Sequence, residues 1–314
     1  MRYRRLGRSA LRVSSVSLGS WLTFGHAVDL ERTRAITRAA FDRGINFFDT
    51  ADVYAMGACE EVLGRALEGL PRKDYVLATK VFFPTGHGPN DKGLSRKHVR
   101  ESVVASLRRL RTDYLDLYQC HRHDPETPIE ELVRTMDDLV RRGSILHWGV
   151  SLWPADRIAE AVQVARDMGA DPPLSNQPVY NMLQREIERD VIRVSEACGV
   201  GQIVFSPLAQ GLLTGKYREG TIPEDSRAAD PRSNQFIQRH MTADNFARIE
   251  RVRRLAADFG MSMAELALAW CLRTPAVNSV IIGATREDQV MENARAAEID
   301  LGSGQIQALE RALV

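Results

Sequence analysis

Short apolar runs alternate with amphipathic segments along nearly the whole chain. The runs cover 16–18, 45–48, 75–80, 114–119, 146–150, 174–176, 202–205 and 279–282. Each is too short for a helix and reads as a buried strand. Between them lie helical patterns. In 30–43, Ile36, Ala39, Ala40 and Arg43 recur at helical spacing; 95–109 opens on Ser95 as a cap and carries Val99, Val103, Ser106 and Leu107 on one face. Further helices are predicted over 128–142, 154–168, 184–198, 243–259 and 286–297. Strands that alternate with helices imply parallel pairing through crossovers, and eight of them suit a closed (β/α)₈ TIM barrel better than an open sheet.

Two stretches break the alternation. Residues 2–13 read as a β-hairpin turning at Gly7-Arg8-Ser9 and positioned to plug the lower end of the barrel. A long irregular segment, about 206–241, separates the seventh strand from the helix expected after it; a loop of that length in a compact domain is usually functional or disordered. No repeat, low-complexity tract or linker divides the chain, so residues 1–314 read as one domain.

Barrel active sites form at the C-terminal ends of the strands. In Asp49-Thr-Ala-Asp-Val-Tyr54 an acid ends one strand and a phenol opens the next loop; Lys80 closes another strand and His121 a third. The four form a set able to donate a proton to a carbonyl oxygen. Tyr54 is the acid, Lys80 favours its phenolate, Asp49 holds Lys80 charged, and His121 hydrogen-bonds the substrate oxygen. Ser151, Gln177, Ser206 and Gly283 fall at strand ends on the same face.

Carbonyl reduction needs a hydride carrier that no side chain supplies. Gly199-Val-Gly201 precedes a strand and does not complete a dinucleotide fingerprint, which disfavours a Rossmann domain. The late chain offers cofactor-binding pieces instead: Ser206 to Gly211, Lys216, Arg227, and Gly283-Ala-Thr-Arg286 opening the last helix, whose free N–H groups suit a phosphate. Arg286, Lys216 and Arg227 supply charge suited to NADPH.

Composition adds exclusions. Lys and Arg (42) nearly balance Asp and Glu (41), and the net charge of +1 gives no general attraction to nucleic acid or anionic membrane. No apolar run approaches the roughly 20 residues that span a bilayer. The N-terminus lacks the apolar stretch of a signal peptide. Cys59, Cys120, Cys198 and Cys271 are scattered and read as reduced thiols. The expectation is a cytoplasmic protein with a small-molecule partner.

The strand-end tetrad resembles the aldo-keto reductase superfamily. So do Gly19-Ser-Trp-Leu-Thr-Phe-Gly25, Gly149-Val-Ser151, Asn176-Gln177, Phe205-Ser-Pro-Leu-Ala209, Gly211-Leu-Leu-Thr-Gly-Lys216-Tyr217 and Ile282-Gly-Ala-Thr285 with Gln289, Glu292 and Asn293. Leu94-Ser-Arg-Lys-His98, Trp270-Cys-Leu-Arg273 and Met291-Glu-Asn293 are similar to the branch containing the potassium-channel β subunits and their bacterial relatives.

The resemblance implies NADPH-dependent reduction of aldehydes or ketones with Tyr54 as the acid. It implies Gln177, helped by Ser151, on the nicotinamide carboxamide, and Ser20 and Trp21 at the nicotinamide end. Ser206, Leu208, Lys216 and Arg227 would cover the pyrophosphate, with Phe205 beside them; Gly283, Thr285, Gln289, Glu292 and Asn293 would hold the adenosine end. Trp21, Phe82, Phe83, His87 and His123 would shape the substrate mouth. The branch also implies a homo-oligomer. Leu152 stands where relatives often carry a polar residue, and Asp225 where channel β subunits carry an aromatic. His121 replaces the asparagine of those subunits, which favours a competent reductase.

Two rival readings predict different chemistry. The chain could serve as a cofactor-sensing regulatory subunit with slow catalysis. His121-Arg-His123 could instead ligate a metal, as in an amidohydrolase barrel; that family places its HxH after the first strand, whereas here it follows the fourth, and no metal is expected.

Overall fold

The computed structural model describes residues 1–25, 27–224 and 226–314. A two-stranded antiparallel hairpin, β1 (Tyr3–Arg5) and β2 (Arg12–Ser14), precedes the barrel. The barrel strands are β3 (Val16–Gly19), β4 (Phe47–Asp49), β5 (Val76–Val81), β6 (Leu115–Cys120), β7 (Ile145–Ser151), β8 (Ser175–Gln177), β9 (Gly201–Val204) and β10 (Val277–Ile282). All pair in parallel, in sequence order, and β10 closes on β3. The eight predicted strands are therefore the eight barrel strands, shifted by a residue or two at their ends.

The hairpin plugs the lower end. Leu6 and Val13 are fully buried and join the barrel-interior cluster with Phe47, Val76, Leu117, Leu174 and Ile203. Gly7 turns with φ +50°, and a Cβ there would lie 2.5 Å from the Leu174 carbonyl oxygen, so the turn admits only glycine. Arg4 fastens the hairpin by donating to the carbonyls of Leu272, Thr274 and Val277.

Eleven helices are present among the described residues: α1 (Leu30–Asp42), α2 (Ala58–Leu67), α3 (Arg96–Leu110), α4 (Ile129–Arg141), α5 (Ala155–Asp167), α6 (Val191–Cys198), α7 (Gln235–Gln238), α8 (Ala243–Asp258), α9 (Met263–Leu272), α10 (Glu287–Arg295) and α11 (Ser303–Leu313). Ser95 caps α3 as expected, accepting from the His98 N–H. The predicted 184–198 helix is shorter; a 3₁₀ turn, Glu186–Glu188, comes first, and Asp190 at φ −147° separates it from α6.

The periodicity assigned 243–259 to the barrel wall, and the structure corrects this. It is α9 that packs on β10, while α8 pairs with α11 across the end of the chain and meets α9 at 96°. Every residue of α9 except the half-buried Glu265 is buried, so its sequence, MAELALAWCL, shows no apolar stripe set against a polar face. Likewise α10, opened by Arg286, is not the last helix, because α11 follows. Among the described residues no single helix is long and apolar enough to cross a membrane.

Alternation along the strands sets the interior of the barrel. Phe47, Ala78 and Leu117 fill its middle, and the next inward positions toward the C-terminal end are Asp49, Lys80 and Gln119. Gly19 makes room beside them: a Cβ there would sit 2.5 Å from Ile281 Cγ2.

Candidate active site

Parallel register brings the polar strand ends together. Lys80 pairs across from Gln119, Gly19 from Asp49, and Ser151 from Gln177. Lys80 is fully buried, and its Nζ donates to Asp49 Oδ2 at 2.6 Å, to the Thr50 carbonyl at 2.6 Å and to Tyr54 Oη at 3.3 Å. Asp49, Lys80 and Tyr54 thus form a connected hydrogen-bonded chain. Asp49 is tied on its other oxygen as well, where Oδ1 accepts from Gln177 Nε2 at 2.8 Å and from Gln119 Nε2 at 3.2 Å.

The electrostatics refine the expectation for Tyr54. Burial pushes its phenol above the usual tyrosine value, and the charges of Lys80 and Arg122 only partly oppose this. Burial alone would push the Lys80 ammonium down, but Asp49 and Tyr54 outweigh it and the net shift is upward. The resting site therefore holds a protonated phenol beside a charged lysine. His121 is 6% exposed, and burial, with Lys80 and Arg122, holds it well below its ordinary value, so the imidazole is neutral. Its ring stands edge-on to Tyr54 with centroids 5.6 Å apart, and its Nδ1 is buried without a hydrogen-bond partner.

Aromatic side chains wall this group. Trp21 lies 6.3 Å from the Tyr54 ring and 4.9 Å from Phe236; Phe83 stands 5.0 Å from His121 and 5.2 Å from Phe82. His123 packs edge-on against Trp153 at 5.0 Å, across the same face. His87 is exposed further out on the loop after β5. Among the described residues no group of three or more His, Cys, Asp or Glu side chains stands in a metal-holding arrangement.

The remaining expected residues also gather on this face. The Ser20 hydroxyl donates to Thr50 Oγ1 at 2.7 Å, and the Ser151 hydroxyl to the Gln177 carbonyl at 2.8 Å. Phe205, Ser206 and Leu208 follow β9, where Gln210 donates to Ser206 Oγ at 2.5 Å and accepts from Arg227. Arg227 has no carboxylate partner among the described residues, and burial lowers its pKa. Lys216 is exposed, its Nζ 5.2 Å over the Tyr217 ring. Gly283, Thr285 and Arg286 run into α10, where Gln289 Oε1 accepts from the Thr285 N–H at 2.8 Å and Asn293 is buried one turn beyond. Glu292 lies half-buried beside Asn293. Arg286 is exposed and ion-paired with Asp288 at 3.1 Å. Asp225 lies outside the described residues.

Sequence reasoning missed Gln119, Thr50, Arg122 and Phe236, and leaves Trp153 open between core and pocket wall. Gln119 had a usable signal, since it continues the inward series Leu115, Leu117. Phe236 lies in the long segment after β9 that the sequence marks as functional, but nothing local singles out the residue itself. Backbone strain marks the same face. Seven of the eight non-glycine residues with positive φ among the described residues, Leu22, Ala55, Met56, Leu152, Ser206, Ala209 and Gln210, lie in loops after barrel strands, and the eighth, Arg111, caps α3. Such clustering is typical of ligand-holding loops.

A model of the aldo/keto reductase family matches residues 15–314. Among curated proteins, a probable voltage-gated potassium channel subunit beta of Oryza sativa subsp. japonica is 44% identical over 302 residues, covering 95% of this chain and 92% of that protein. A protein of the same name from Arabidopsis thaliana gives the same figures, and a putative one from Schizosaccharomyces pombe is 42% identical over 304 residues, covering 94% and 88%. With the barrel, its hairpin and the strand-end residues in place, the chain belongs to the aldo/keto reductase family of oxidoreductases, whose members generally bind NAD(P)H.

Proposed function

We propose that residues 1–314 form one domain that reduces aldehydes or ketones to alcohols with NADPH, Tyr54 serving as the acid. The observation that carries this reading is Lys80 Nζ held between Asp49 Oδ2 and Tyr54 Oη beside a neutral His121. A carbonyl oxygen seated against Tyr54 and His121 receives two donors, and the oxygen's developing negative charge draws the Tyr54 proton. Lys80 stabilises the phenolate left behind, Asp49 keeps Lys80 charged, and water restores the proton.

The residues present fit a nicotinamide dinucleotide. Gln177 Oε1 takes no hydrogen bond among the described residues and suits a carboxamide N–H; Ser151 and Ser20 lie on the same rim. Arg227, largely buried without an acid partner among the described residues, together with Lys216, suits an anionic pyrophosphate. Ser206, Leu208, Gly283, Thr285, Gln289, Glu292 and Asn293 complete the proposed contacts, and Arg286 would favour NADPH if released from Asp288. When bound, the reduced nicotinamide supplies the hydride; this chain's residues hold it, exclude water and deliver the proton.

Purified protein offered NADPH or NADH with a panel of aromatic aldehydes and ketones tests the reading. Rapid oxidation, faster with NADPH, is expected; cofactor binding without turnover across the panel would defeat it. That second outcome would favour a regulatory role, which the names of the curated relatives suggest.

A further inference from the structure

Arg122 follows His121 directly and is half-buried at the mouth of the site. Its guanidinium carbon lies 5.1 Å from the Phe83 ring centroid, and Phe83 in turn stands edge-on to His121. The one hydrogen bond the guanidinium makes among the described residues goes to the His121 carbonyl oxygen.

This is an unusual state for a desolvated arginine in this protein. Arg72, Arg109, Arg185 and Arg273 each face a carboxylate, at 2.6, 2.6, 2.7 and 3.0 Å. Arg4 spends its donors on three backbone carbonyls. Among the described residues Arg122 has neither arrangement, and burial lowers its pKa with no carboxylate, only Tyr54, to oppose it. The acid nearest in sequence, Asp124, is committed elsewhere, accepting from the Leu94 and Glu126 N–H groups and the Thr127 hydroxyl. A planar guanidinium with several free donors beside an aromatic wall is suited to a carboxylate. Its charge also acts on Tyr54 and His121, so it lies within electrostatic reach of the reacting oxygen.

We propose that Arg122 recognises the anionic end of the substrate, and that the preferred substrates are carbonyl compounds bearing a carboxylate. This rests on the reductase reading for its turnover but not for its binding. The substrate's carbonyl would point to Tyr54 and His121 while its carboxylate meets Arg122 across Phe83. Phe83 then acts as a spacer, and aldehydes with the acid directly beside the carbonyl should fit less well than those with a ring or chain between the groups.

The test compares 4-carboxybenzaldehyde with its neutral methyl ester in the parent protein, Arg122→Met and Arg122→Lys. The parent should prefer the acid. Arg122→Met should lose about 10- to 100-fold in kcat/KM for the acid, through KM, the range of one charge-assisted hydrogen bond. The ester should fall much less than the acid, since any effect of the charge on Tyr54 is common to both substrates, and Arg122→Lys should recover part of the acid-specific loss. An equal fall for acid and ester, or no change in either, overturns the proposal. Benzoate titrated against tryptophan fluorescence supplies a readout free of turnover: its saturable signal should weaken about tenfold in Arg122→Met. Arg122-dependent benzoate binding without reduction of either aldehyde would defeat the reductase reading and uphold the anion site. Benzoate binding that is indifferent to Arg122 overturns the site.

Discussion

Gln177 donates its side-chain amide to Asp49 Oδ1 at 2.8 Å, on the carboxylate oxygen that Lys80 does not use. The acid at the end of β4 is thereby held from both sides, by the lysine that also donates to Tyr54 and by the glutamine proposed to meet the nicotinamide. In the proposed reading, cofactor and proton donor would share one carboxylate.

Gln119 is the third member of that cluster, donating to Asp49 Oδ1 at 3.2 Å and accepting from Gln177 at 3.4 Å. Among the described residues it makes no hydrogen bond to Tyr54, so its effect on the phenol passes through Asp49. Gln119→Leu should lower kcat several-fold, leave cofactor affinity within about twofold, and broaden or shift the alkaline limb of the pH profile. Gln119→Glu should perturb the profile in the opposite sense by adding charge beside Asp49. Steady-state kinetics across pH separate this from simple destabilisation, which would lower active protein without moving the profile.

Much of this site is legible in the sequence. Parallel barrel strands are buried on both sides, so they read as short apolar runs, and their C-terminal ends carry the polar residues that break those runs. Asp49, Lys80 and His121 announced themselves in that way. Helix α9 did not, because burial on all sides erased the amphipathic period, and α2 was hidden by its brevity and an internal glycine. Phe236 and Arg122 depend on how loops fold back over the barrel, which no local pattern encodes.

That internal glycine, Gly64, lies where α2 crosses the end of α3. A Cβ there would meet the Arg109 carbonyl oxygen at 2.7 Å and Leu110 backbone carbon at 2.8 Å. Helix propensity alone would make Gly64→Ala stabilising by about 1 kcal/mol. Overpacking against backbone costs about 1–3 kcal/mol. The close approach should win, and Tm should fall by a few degrees; a rise would show that α2 shifts freely.

Asp52 sits two residues before Tyr54, 1% exposed, and burial together with Glu60 raises its pKa to about 8, against opposition from Arg109 and Lys80. Its folded pKa lies above its unfolded one, so its stabilising contribution is full below about pH 4 and declines as pH rises through 8. Asp52→Asn keeps the shape of the protonated acid and cannot ionise. The Tm of the variant relative to the parent should therefore climb by several degrees between pH 5 and pH 8.5. A difference that stays flat over that range would mean the carboxyl ionises at no cost.

The hydroxyl of Tyr54 is the one atom on which the proposed chemistry turns. NADPH oxidation by an aromatic aldehyde, measured in the parent and in Tyr54→Phe alongside cofactor affinity by fluorescence titration, tests it most directly. Turnover should fall by about 10²- to 10⁴-fold with cofactor affinity nearly unchanged. Comparable turnover in the two proteins would contradict the assignment of Tyr54 as the proton donor.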